Sequence, residues 1–370
     1  MTKKKILIAT GGTGGHIFPA LAVADELISR GVKPIFLLDE RGEKYIKKDL
    51  NIDIIILPIK NFNSLNIFMN IKNFYLLFLS IIKSIYILLK IRPSLVLGFG
   101  GIASLPSLVA AYYLRMPTVI HEQNAVLGRA NKFLSNYAKL LLLSFDQTLN
   151  IPDKICNRSY VVGNPVRSSF IGNKKYIIPT KNEKIKILIL GGSQGAKIFS
   201  EVIPNVFRNL PSDLKSRLEI IHQCRDSDIQ KVNKYYDESS INHQTKGFIN
   251  NISEVLTKSH LVISRAGASS LSEILVARIP SILIPFKYSK DNHQSLNAKK
   301  LNIAGASWLI EEDKFVDEKL SNLLNQIFSS LDILSKFSKN TVKLAKPDAA
   351  KDFVNILDSN FFNFKFREGG

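Results

Sequence analysis

The hydrophobic positions of the chain form short apolar runs that alternate with stretches of helical periodicity. In the first half, the runs that predict buried strands are 4–10, 34–39, 52–57, 94–100 and 117–122, and the first helix is predicted at 20–29. In the second half, the predicted strands are 184–192, 218–223, 245–249, 260–267, 281–286 and 306–310. Short apolar strands that alternate with helices indicate parallel sheets with helices on both faces.

This pattern is interrupted around Gly163-Asn164-Pro165, where a polar and basic stretch separates the two halves. We therefore predict an α/β protein with two doubly wound domains joined near 163–167, the first at 1–163 and the second at 164–340. A chain of 370 residues is long enough for two domains of ordinary size. The last helical segment, 344–357, could pack on either domain.

Composition and charge narrow the possible functions. The two cysteines, Cys156 and Cys224, are too few for a disulfide framework or a Cys-rich zinc site, and they favour a reducing compartment. The net charge of +19 indicates an anionic partner, although part of it follows from a composition rich in Lys, Ile and Asn. The basic residues do not alternate with aromatic residues as in RNA-binding platforms, so we expect no nucleic-acid partner.

The most apolar stretch of the chain, 74–91, is interrupted by Lys83 and Lys90. It is therefore predicted to be an amphipathic helix rather than a membrane span. An apolar surface surrounded by lysines suits a protein that lies on an anionic leaflet, so we expect a membrane contact at 62–92. A helix buried between the sheet and its neighbours would explain the same pattern.

Glycine-rich turns follow several of the predicted strands, at 11–16, 98–101, 163–165, 191–196 and 265–270. In a doubly wound sheet such turns lie at the carboxyl edge, where ligands bind. Glycine lets backbone N–H groups approach a phosphate, and the N-terminus of the following helix favours an anion. Several such turns in both halves predict an anion site between the domains.

The glycine turns do not match the common nucleotide motifs. Neither glycine loop carries the Gly-Lys-[Ser/Thr] of a P-loop, and counting from Gly12 the third glycine of a dinucleotide fingerprint is replaced by Ile17. We therefore expect no nicotinamide cofactor, and interpret Asp39 as a cap at a strand end. No metal is expected either, because His121 and His293 lie in separate halves, without a second ligand at metal-binding spacing.

Two polar clusters also follow predicted strands. They are 121–124, and 291–294 with Asn297. Contiguous side chains that all form hydrogen bonds are costly to bury without partners, which favours contact with a substrate. The amides among them suit a ligand rich in hydroxyl groups, such as a sugar.

Together these segments resemble the MurG family, peptidoglycan glycosyltransferases that add N-acetylglucosamine to undecaprenyl-linked muramyl-pentapeptide. The matching motifs are 11–16 with 19–22, 121–124 with Gly128 and 131–132, 163–167, 190–196, 264–268 with Glu273, and 291–294 with 297–298. The motifs follow the family's order along nearly the whole chain, to about Ala349. The chain departs from the family at Ile102, where Tyr is usual, and at Ser270, where Thr is usual.

The resemblance implies a GT-B architecture, in which two Rossmann-like domains face a central cleft. It also implies an inverting transfer without a metal or cofactor. UDP-N-acetylglucosamine would bind mainly the second domain. The lipid-linked muramyl-pentapeptide acceptor would bind the first domain, which would lie on the cytoplasmic face of the bacterial inner membrane as a peripheral protein. A final helix at about 341–360 would pack back on the first domain.

The resemblance also assigns site residues. Donor contacts carried over from the family are Thr13, Gly14, Gly15, Asn124, Arg167, Ser193, Ile249, Ala268, Ser269, Ser270, Leu271, Ser272, Glu273 and Gln294. Backbone N–H groups at the Ser193 turn and at the helix start near Ala268 would stabilise the charge of the departing UDP. Glu273 suits the ribose hydroxyls, since a carboxylate accepts two hydrogen bonds.

An inverting displacement usually needs a base that deprotonates the acceptor hydroxyl. His16 is the first candidate, because a helix N-terminus disfavours the imidazolium and a neutral imidazole can accept a proton. Glu122, acting directly or by orienting His121, is the alternative base. A structural role for His16 stays open.

Two other functions stay open at this stage. A different UDP-sugar enzyme of the same fold, such as an epimerase or a glycolipid synthase, would share the loops of the second half. A non-catalytic module that binds membranes or nucleic acid would explain the charge, but would leave the glycine turns without a role.

Overall fold

The chain divides into two compact units, seen in a computed structural model. The first unit comprises Met1–Arg167 and Lys346–Gly370, and the second unit comprises Ser168–Ala345. The structure describes residues 5–43, 45–46, 52–59, 67–172, 175–180, 182–192 and 195–362.

The first unit is built on a seven-stranded parallel sheet with the order β3-β2-β1-β4-β5-β6-β7. Its strands are β1 (Ile6–Ala9), β2 (Pro34–Asp39), β3 (Asp53–Leu57), β4 (Leu95–Gly98), β5 (Thr118–Glu122), β6 (Leu140–Leu143) and β7 (Ser159–Val161). Its helices before the second unit are α1 (Gly14–Ser29), α2 (Glu40–Glu43), α3 (Ile67–Ile91), α4 (Leu105–Tyr113), α5 (Arg129–Leu134) and α6 (Asp153–Cys156).

The second unit repeats this plan with a six-stranded parallel sheet of order β10-β9-β8-β11-β12-β13. The strands are β8 (Ile185–Leu190), β9 (Leu218–Gln223), β10 (Asn242–Lys246), β11 (Leu261–Ser264), β12 (Ser281–Leu283) and β13 (Ser307–Leu309). The helices are α7 (Lys197–Arg208), α8 (Ser212–Arg217), α9 (Ile229–Glu238), α10 (Ile252–Lys258), α11 (Ala268–Val276), α12 (His293–Ile303), α13 (Asp317–Ser329) and α14 (Asp332–Leu344).

Both faces of the first sheet are covered, as the continuous apolar runs predicted. Along β1, Ile6 and Ile8 pack into one core cluster with residues of α1, whereas Leu7 and Ala9 pack into another with residues of α3 and α4. Successive side chains of a strand point to opposite faces, so a strand buried on both sides must be apolar throughout. The prediction of two doubly wound α/β domains is confirmed.

The strand predicted at 245–249 is wrong in its position, because β10 spans Asn242–Lys246. In the described sheet β10 is an edge strand that pairs with β9 alone. An edge strand does not need two apolar faces, so β10 can be polar, and the pattern of apolar runs did not locate it correctly. The strands β6 and β7 were not among the predicted runs.

The chain returns to the first unit through α15 (Ala349–Leu357). Its side chains Phe353, Val354 and Leu357 are buried in the core of the first unit, against α1. The helical segment expected at about 341–360 is not continuous, since α14 ends at Leu344 and Pro347 precedes the start of α15. Proline lacks the N–H that a continuing helix would need.

The helix α3 has an unusual distribution of exposed and buried residues. Within the described residues, its Asn73–Ile91 part is long and apolar enough to cross a membrane by length and composition, and 22% of that stretch is buried. From the sequence, Lys83 and Lys90 argued against a membrane span. By length and composition alone, these two lysines do not exclude one. Ile87 and Leu88 nevertheless pack into the core of the first unit, and Lys83 Nζ donates to the carbonyl of Ile56 at 2.9 Å.

Candidate functional site

The first candidate site lies at the carboxyl edge of the first sheet, where β1 and β4 are neighbours in the middle of the strand order. This is the point at which the order along the chain reverses, and ligands of doubly wound folds bind there. The turns after β1, β4 and β5 meet at this edge, since those three strands are adjacent.

The turn after β1 is held by a buried carboxylate. Asp39 is fully buried and accepts hydrogen bonds from the N–H groups of Gly12, at 2.9 Å, and Gly42, at 3.0 Å. It also pairs with Arg41. A side chain on Gly11 would lie 2.7 Å from the Asp39 carboxylate, so the turn requires glycine there. The interpretation of Asp39 as a strand-end cap is confirmed.

The helix α1 begins at Gly14, six residues earlier than the prediction of 20–29. Thr13 precedes it in an extended conformation, and the N–H of His16 donates to the Thr13 carbonyl at 3.1 Å. Gly14 and Gly15 therefore form the first turn of the helix. The N-terminus of a helix favours negative charge, which makes this turn suitable for an anion.

His16 is half-buried, and its ring lies against the turn after β4. Its Nδ1 is 3.2 Å from Oε1 of Gln123. Side chains on Gly100 or Gly101 would come within 3.3 to 3.4 Å of the ring, and both glycines have positive φ angles, of 83° and 74°. The positive φ angles favour glycine at both positions, and at Gly100 a side chain would also crowd the imidazole.

Beside Gln123, His121 is completely buried at the end of β5. The pKa of His121 is lowered to about 3, mainly by burial; a hydrogen bond to the Gly163 carbonyl opposes the shift, and the nearby His16 makes a smaller contribution in the same direction as burial. The ring is therefore neutral near neutral pH. It packs against Phe353 of α15, with the ring centroids 5.6 Å apart.

The carboxylate of Glu122 is surrounded by donors. Oε1 accepts from the backbone N–H of Asn124 at 3.0 Å and from its Nδ2 at 3.1 Å, and Oε2 accepts from the N–H of Gly128 at 3.0 Å and from Nδ2 of Asn131 at 2.8 Å. Four hydrogen bonds use the acceptor capacity of one carboxylate. Glu122 thus organises the loop between β5 and α5.

Arg167 lies at the end of the first segment of the first unit. Its guanidinium stacks on the ring of Phe18, 4.2 Å from the centroid, and Phe18 contacts Tyr45 edge to face. Phe18 belongs to α1, so Arg167 is held near the helix that starts at Gly14.

A corresponding site lies in the second unit, where β8 and β11 are neighbours and the strand order reverses. After β8 the chain makes a tight turn, in which a side chain on Gly191 would lie 2.4 Å from the backbone nitrogen of Ala196. Gly195 has a φ of 68°. Ser193, the predicted donor contact in this turn, lies outside the described residues.

The turn after β11 is held by amide side chains from α12. Oε1 of Gln294 accepts from the N–H groups of Ala266, at 3.2 Å, and Phe286, at 2.9 Å. Asn297 is fully buried and donates from Nδ2 to the carbonyl of Ala266 at 3.2 Å. Because Oε1 of Gln294 is engaged, its Nε2 is the end left to face a ligand.

Arg265 connects the turn after β11 to the turn after β12 and to Glu312. Its guanidinium donates to the carbonyls of Ile284 and Pro285 and pairs with Glu312. Arg265 is 9% exposed, so this ion pair is mostly shielded from water. A buried, paired arginine of this kind fixes the relative positions of the turns that follow β11 and β12.

The helix α11 starts directly after this turn, with Gly267 as its N-cap residue. The side chains of Ala268 and Leu271 are buried, whereas Ser269, Ser270, Ser272 and Glu273 are half-buried. A contact of Ala268 with a ligand would therefore use its backbone, whereas the N–H of Leu271 already donates to the Gly267 carbonyl at 3.0 Å. The first turn of α11 presents N–H groups at a switch point, which is a typical site for a diphosphate.

The polar cluster before α12 adopts a rare backbone conformation. Asp291 and Asn292 both have positive φ angles, of 51° and 52°. Two consecutive non-glycine residues in this region store strain, which is typical of functional loops. Gln294 follows them in the first turn of α12.

Ile249 is separated from the other donor residues by the fold. It follows β10, which is two strands away from β8 and three from β11 in the sheet order. Its side chain is buried, with 4% exposed. A contact with a ligand would therefore use its backbone.

The structure thus gathers Thr13, Gly14, Gly15, His16 and Asn124 at one edge of the first unit, and Ala268–Glu273 and Gln294 at one edge of the second. Sequence analysis did not single out Gln123 or Arg265 individually, although both lie in motifs that it identified. Among the described residues, no group of three or more His, Cys, Asp or Glu could hold a metal ion.

Family models match both units. The N-terminal domain model of glycosyltransferase family 28 matches residues 6–142, and the C-terminal domain model matches residues 186–353. A UDP-N-acetylglucosamine--N-acetylmuramyl-(pentapeptide) pyrophosphoryl-undecaprenol N-acetylglucosamine transferase of Rickettsia bellii is 39% identical, over 96% of this chain and 99% of the relative. A transferase of the same name from Wolbachia sp. subsp. Brugia malayi is 37% identical, over 95% and 98%.

Solved structures agree with these relatives. The crystal structure of MurG from Acinetobacter baumannii superposes with a TM-score of 0.76 at 28% identity, over 96% of this chain and 99% of that one. A putative UDP-N-acetylglucosamine 2-epimerase from Listeria monocytogenes gives 0.70 at 13% identity, over 100% of both chains, which shows the fold alone. The predicted GT-B architecture with two Rossmann-like domains is confirmed. The chain therefore belongs to the MurG family of N-acetylglucosaminyltransferases.

Proposed function

We propose that this protein transfers N-acetylglucosamine from UDP-N-acetylglucosamine to undecaprenyl-diphospho-N-acetylmuramoyl-pentapeptide, a step of peptidoglycan synthesis. The observation that carries the proposal is the 39% identity to a named transferase over 99% of that relative's length. The acceptor hydroxyl attacks the anomeric carbon, the bond to UDP breaks with inversion, and the hydroxyl proton passes to a base.

The second unit supports the binding of the donor. The turn before α11 is fixed by Gln294, and the first turn of α11 is placed to receive a diphosphate. Charge that develops on departing UDP is stabilised there by donors that need no reorganisation. Glu273, one turn further along α11, is half-buried and suits the ribose hydroxyls.

His16 is the base that the geometry of the first unit supports best. It lies in the first turn of α1, next to Gly14 and Gly15, which suit the diphosphate of the acceptor. Glu122 is less suitable, because four donors already surround its oxygens. A carboxylate so engaged has no acceptor site left for a substrate proton.

The proposed reaction is tested by transfer of labelled N-acetylglucosamine from UDP to the lipid-linked acceptor. We expect a labelled lipid product that forms equally well with EDTA present. The matched control omits the acceptor and analyses the nucleotide sugar. Conversion of UDP-N-acetylglucosamine to its 2-epimer without acceptor, and no lipid product, would contradict the proposal.

We also propose that α3 brings the first unit to an anionic membrane surface. Most of the exposed side chains of this helix are large and apolar: Phe74, Tyr75, Phe78, Ile82, Tyr86 and Leu89 are 49–67% exposed. Its buried positions include the polar residues Asn73, Ser80 and Ser84. A helix whose solvent face is more apolar than its packed face is suited to a lipid interface.

The positive charge of α3 and of the whole chain also supports a contact of α3 with an anionic membrane. Lys83 and Lys90 are exposed on α3, and the chain as a whole has a net charge of +19. Each lysine near an anionic surface contributes about 1 kcal/mol, an attraction that salt screens. A peripheral position on the cytoplasmic face of the inner membrane would place the site next to its lipid-linked acceptor.

Vesicle sedimentation tests the membrane proposal. The triple variant Phe74→Ser, Phe78→Ser and Ile82→Ser should lose binding to vesicles that contain phosphatidylglycerol, with the same Tm and donor affinity as wild type. The matched control replaces Ile177, Tyr288 and Ile303 of the second unit, which are 73–86% exposed, by Ser. Full vesicle binding by the folded α3 variant would overturn the proposal.

A further inference from the structure

We propose that Gln123 is a positioning residue that holds His16 in the tautomer protonated on Nδ1, which leaves the basic lone pair on Nε2. This inference rests on the proposed role of His16 as the base. It follows from a chain of hydrogen bonds that runs from the Gly163 carbonyl through His121 and Gln123 to His16.

The first link fixes the tautomer of His121. Its Nε2 lies 3.2 Å from the carbonyl oxygen of Gly163 and 3.3 Å from the hydroxyl of Ser144. A carbonyl can accept a hydrogen bond but cannot donate one, so Nε2 of His121 must carry the hydrogen. Because burial keeps this imidazole neutral, Nδ1 has no hydrogen and is an acceptor.

The second link fixes the orientation of the Gln123 amide. Its Nε2 is 3.1 Å from Nδ1 of His121 and 3.0 Å from the carbonyl oxygen of Phe99. Both partners are acceptors, so both require the NH₂ end of the amide. A flipped amide would place its oxygen against two acceptors, and two independent contacts therefore assign the same orientation.

The third hydrogen bond, between Gln123 and His16, fixes the tautomer of His16. With its NH₂ group directed to His121 and Phe99, Gln123 directs Oε1 to Nδ1 of His16, at 3.2 Å. An amide oxygen accepts hydrogen bonds, so Nδ1 of His16 carries the hydrogen. In the neutral imidazole the lone pair that can take a proton is then on Nε2.

The arrangement is rigid at both ends. Gln123 is 2% exposed, and His121 packs against both Phe99 and Phe353, with centroids at 5.5 and 5.6 Å. The ring of His16 is confined by Gly100 and Gly101. A base held in one tautomer does not spend part of its time in an unreactive form, and catalytic histidines in other enzymes are held in the same way by a partner on Nδ1.

Nitrogen NMR of protein labelled with ¹⁵N-histidine tests the tautomer directly. The chain has six histidines, and the signal of His16 is assigned by its loss in His16→Ala. In the wild-type protein we expect a protonated Nδ1 and an unprotonated Nε2 for His16. A protonated Nε2 would overturn the proposal, and this measurement needs no variant at Gln123.

The variant Gln123→Leu tests the consequence for catalysis. It should release His16 to a mixture of tautomers and lower kcat by about 10-fold or more, but by less than His16→Ala. The Kd for UDP-N-acetylglucosamine, which also reports folding, should stay within about 2-fold. The control is Gln147→Leu, an exposed glutamine of the same unit, which should change neither readout.

The outcomes separate this inference from the proposed function. A folded Gln123→Leu that keeps the wild-type tautomer, or the wild-type kcat, would overturn the positioning role while the transferase activity stands. Absence of transfer by the wild-type protein would overturn the proposed function, and the positioning role with it, whichever tautomer His16 adopts.

Discussion

Each unit has a glycine-containing turn at its switch point, after β1 in the first unit and after β11 in the second, and the two turns are built differently. In the first unit, Asp39 holds the turn after β1, and the histidine at the start of α1 contacts a chain of polar side chains. In the second unit, Gln294 and Asn297 hold the turn after β11 through its backbone, and no histidine lies in the first turn of α11. This difference supports the proposed roles, in which the turn of the first unit carries the base and the turn of the second unit binds the diphosphate of the donor.

Removing the imidazole from the first turn should have the largest effect. We expect His16→Ala to lower kcat by about 10²-fold or more, the usual range for loss of a general base, with little change in the Kd for UDP-N-acetylglucosamine. Steady-state kinetics and calorimetry measure the two quantities. His243→Ala, a half-buried histidine of β10, is the matched control.

A near-normal kcat for His16→Ala would remove the difference between the two turns. Glu122→Gln then becomes the decisive variant, since it keeps the size of the side chain. If Glu122→Gln abolished turnover in a folded protein while His16→Ala did not, the role of base would move to Glu122.

Acid should destabilise both units, because each contains a buried histidine at the end of a strand. Burial lowers the pKa of His121 in β5 and of His222 in β9 to about 3. In the unfolded chain a histidine titrates near 6.5, so below that pH the unfolded state binds protons that the folded state does not. At pH 5 each histidine should lower the free energy of unfolding by about 2 kcal/mol.

Urea denaturation at pH 7.5 and pH 5 measures this loss. The variant His222→Leu should lose about 2 kcal/mol less than wild type over the same range. His243→Leu, which is half-buried, serves as the control. An unchanged pH dependence in His222→Leu would show that this histidine does not contribute, and would make the two units unequal in their response to acid.

A variant that loosens the turn after β11 should have a smaller effect than the two preceding changes. We expect it to alter the KM for the donor more than kcat. In Gln294→Ala the N–H groups of Ala266 and Phe286 lose their acceptor. Leaving such groups unpaired costs about 1–3 kcal/mol, so we expect the KM for UDP-N-acetylglucosamine to rise about 10-fold with a smaller change in kcat.

Two variants sharpen this test. Gln294→Glu keeps an oxygen for both N–H groups, so it should keep the Tm of wild type while its charge weakens donor binding. Gln326→Ala, an exposed residue of the same unit, should leave the KM unchanged. A loss of kcat without a rise in KM in Gln294→Ala would contradict the division of roles between the turns.

The hydrophobic pattern was sufficient to predict the architecture. Strands such as β1 and β8 are buried on both faces, so their apolar character is continuous and local in the sequence. The same pattern misplaced β10, because an edge strand can be polar. It also missed the start of α1, since the glycines that form its first turn are typical of loops.

The glycine turns and the polar clusters could be located from the sequence because each follows a strand directly. The sequence by itself therefore determined two doubly wound domains, the positions of their candidate ligand-binding edges and the residue types present there. These features depend on neighbours along the chain, and local patterns record them.

Only the tertiary structure decided how each polar group is engaged. Glu122 and His16 were both candidate bases, and the donors that occupy Glu122 come from Asn124, Gly128 and Asn131 after the chain has turned back on itself. The packing of Phe353 from α15 against His121 joins residues that are more than 200 positions apart in the sequence. Hydrogen bonds and packing between distant segments leave no periodic trace in the sequence, so the roles of these side chains emerge when the chain is folded.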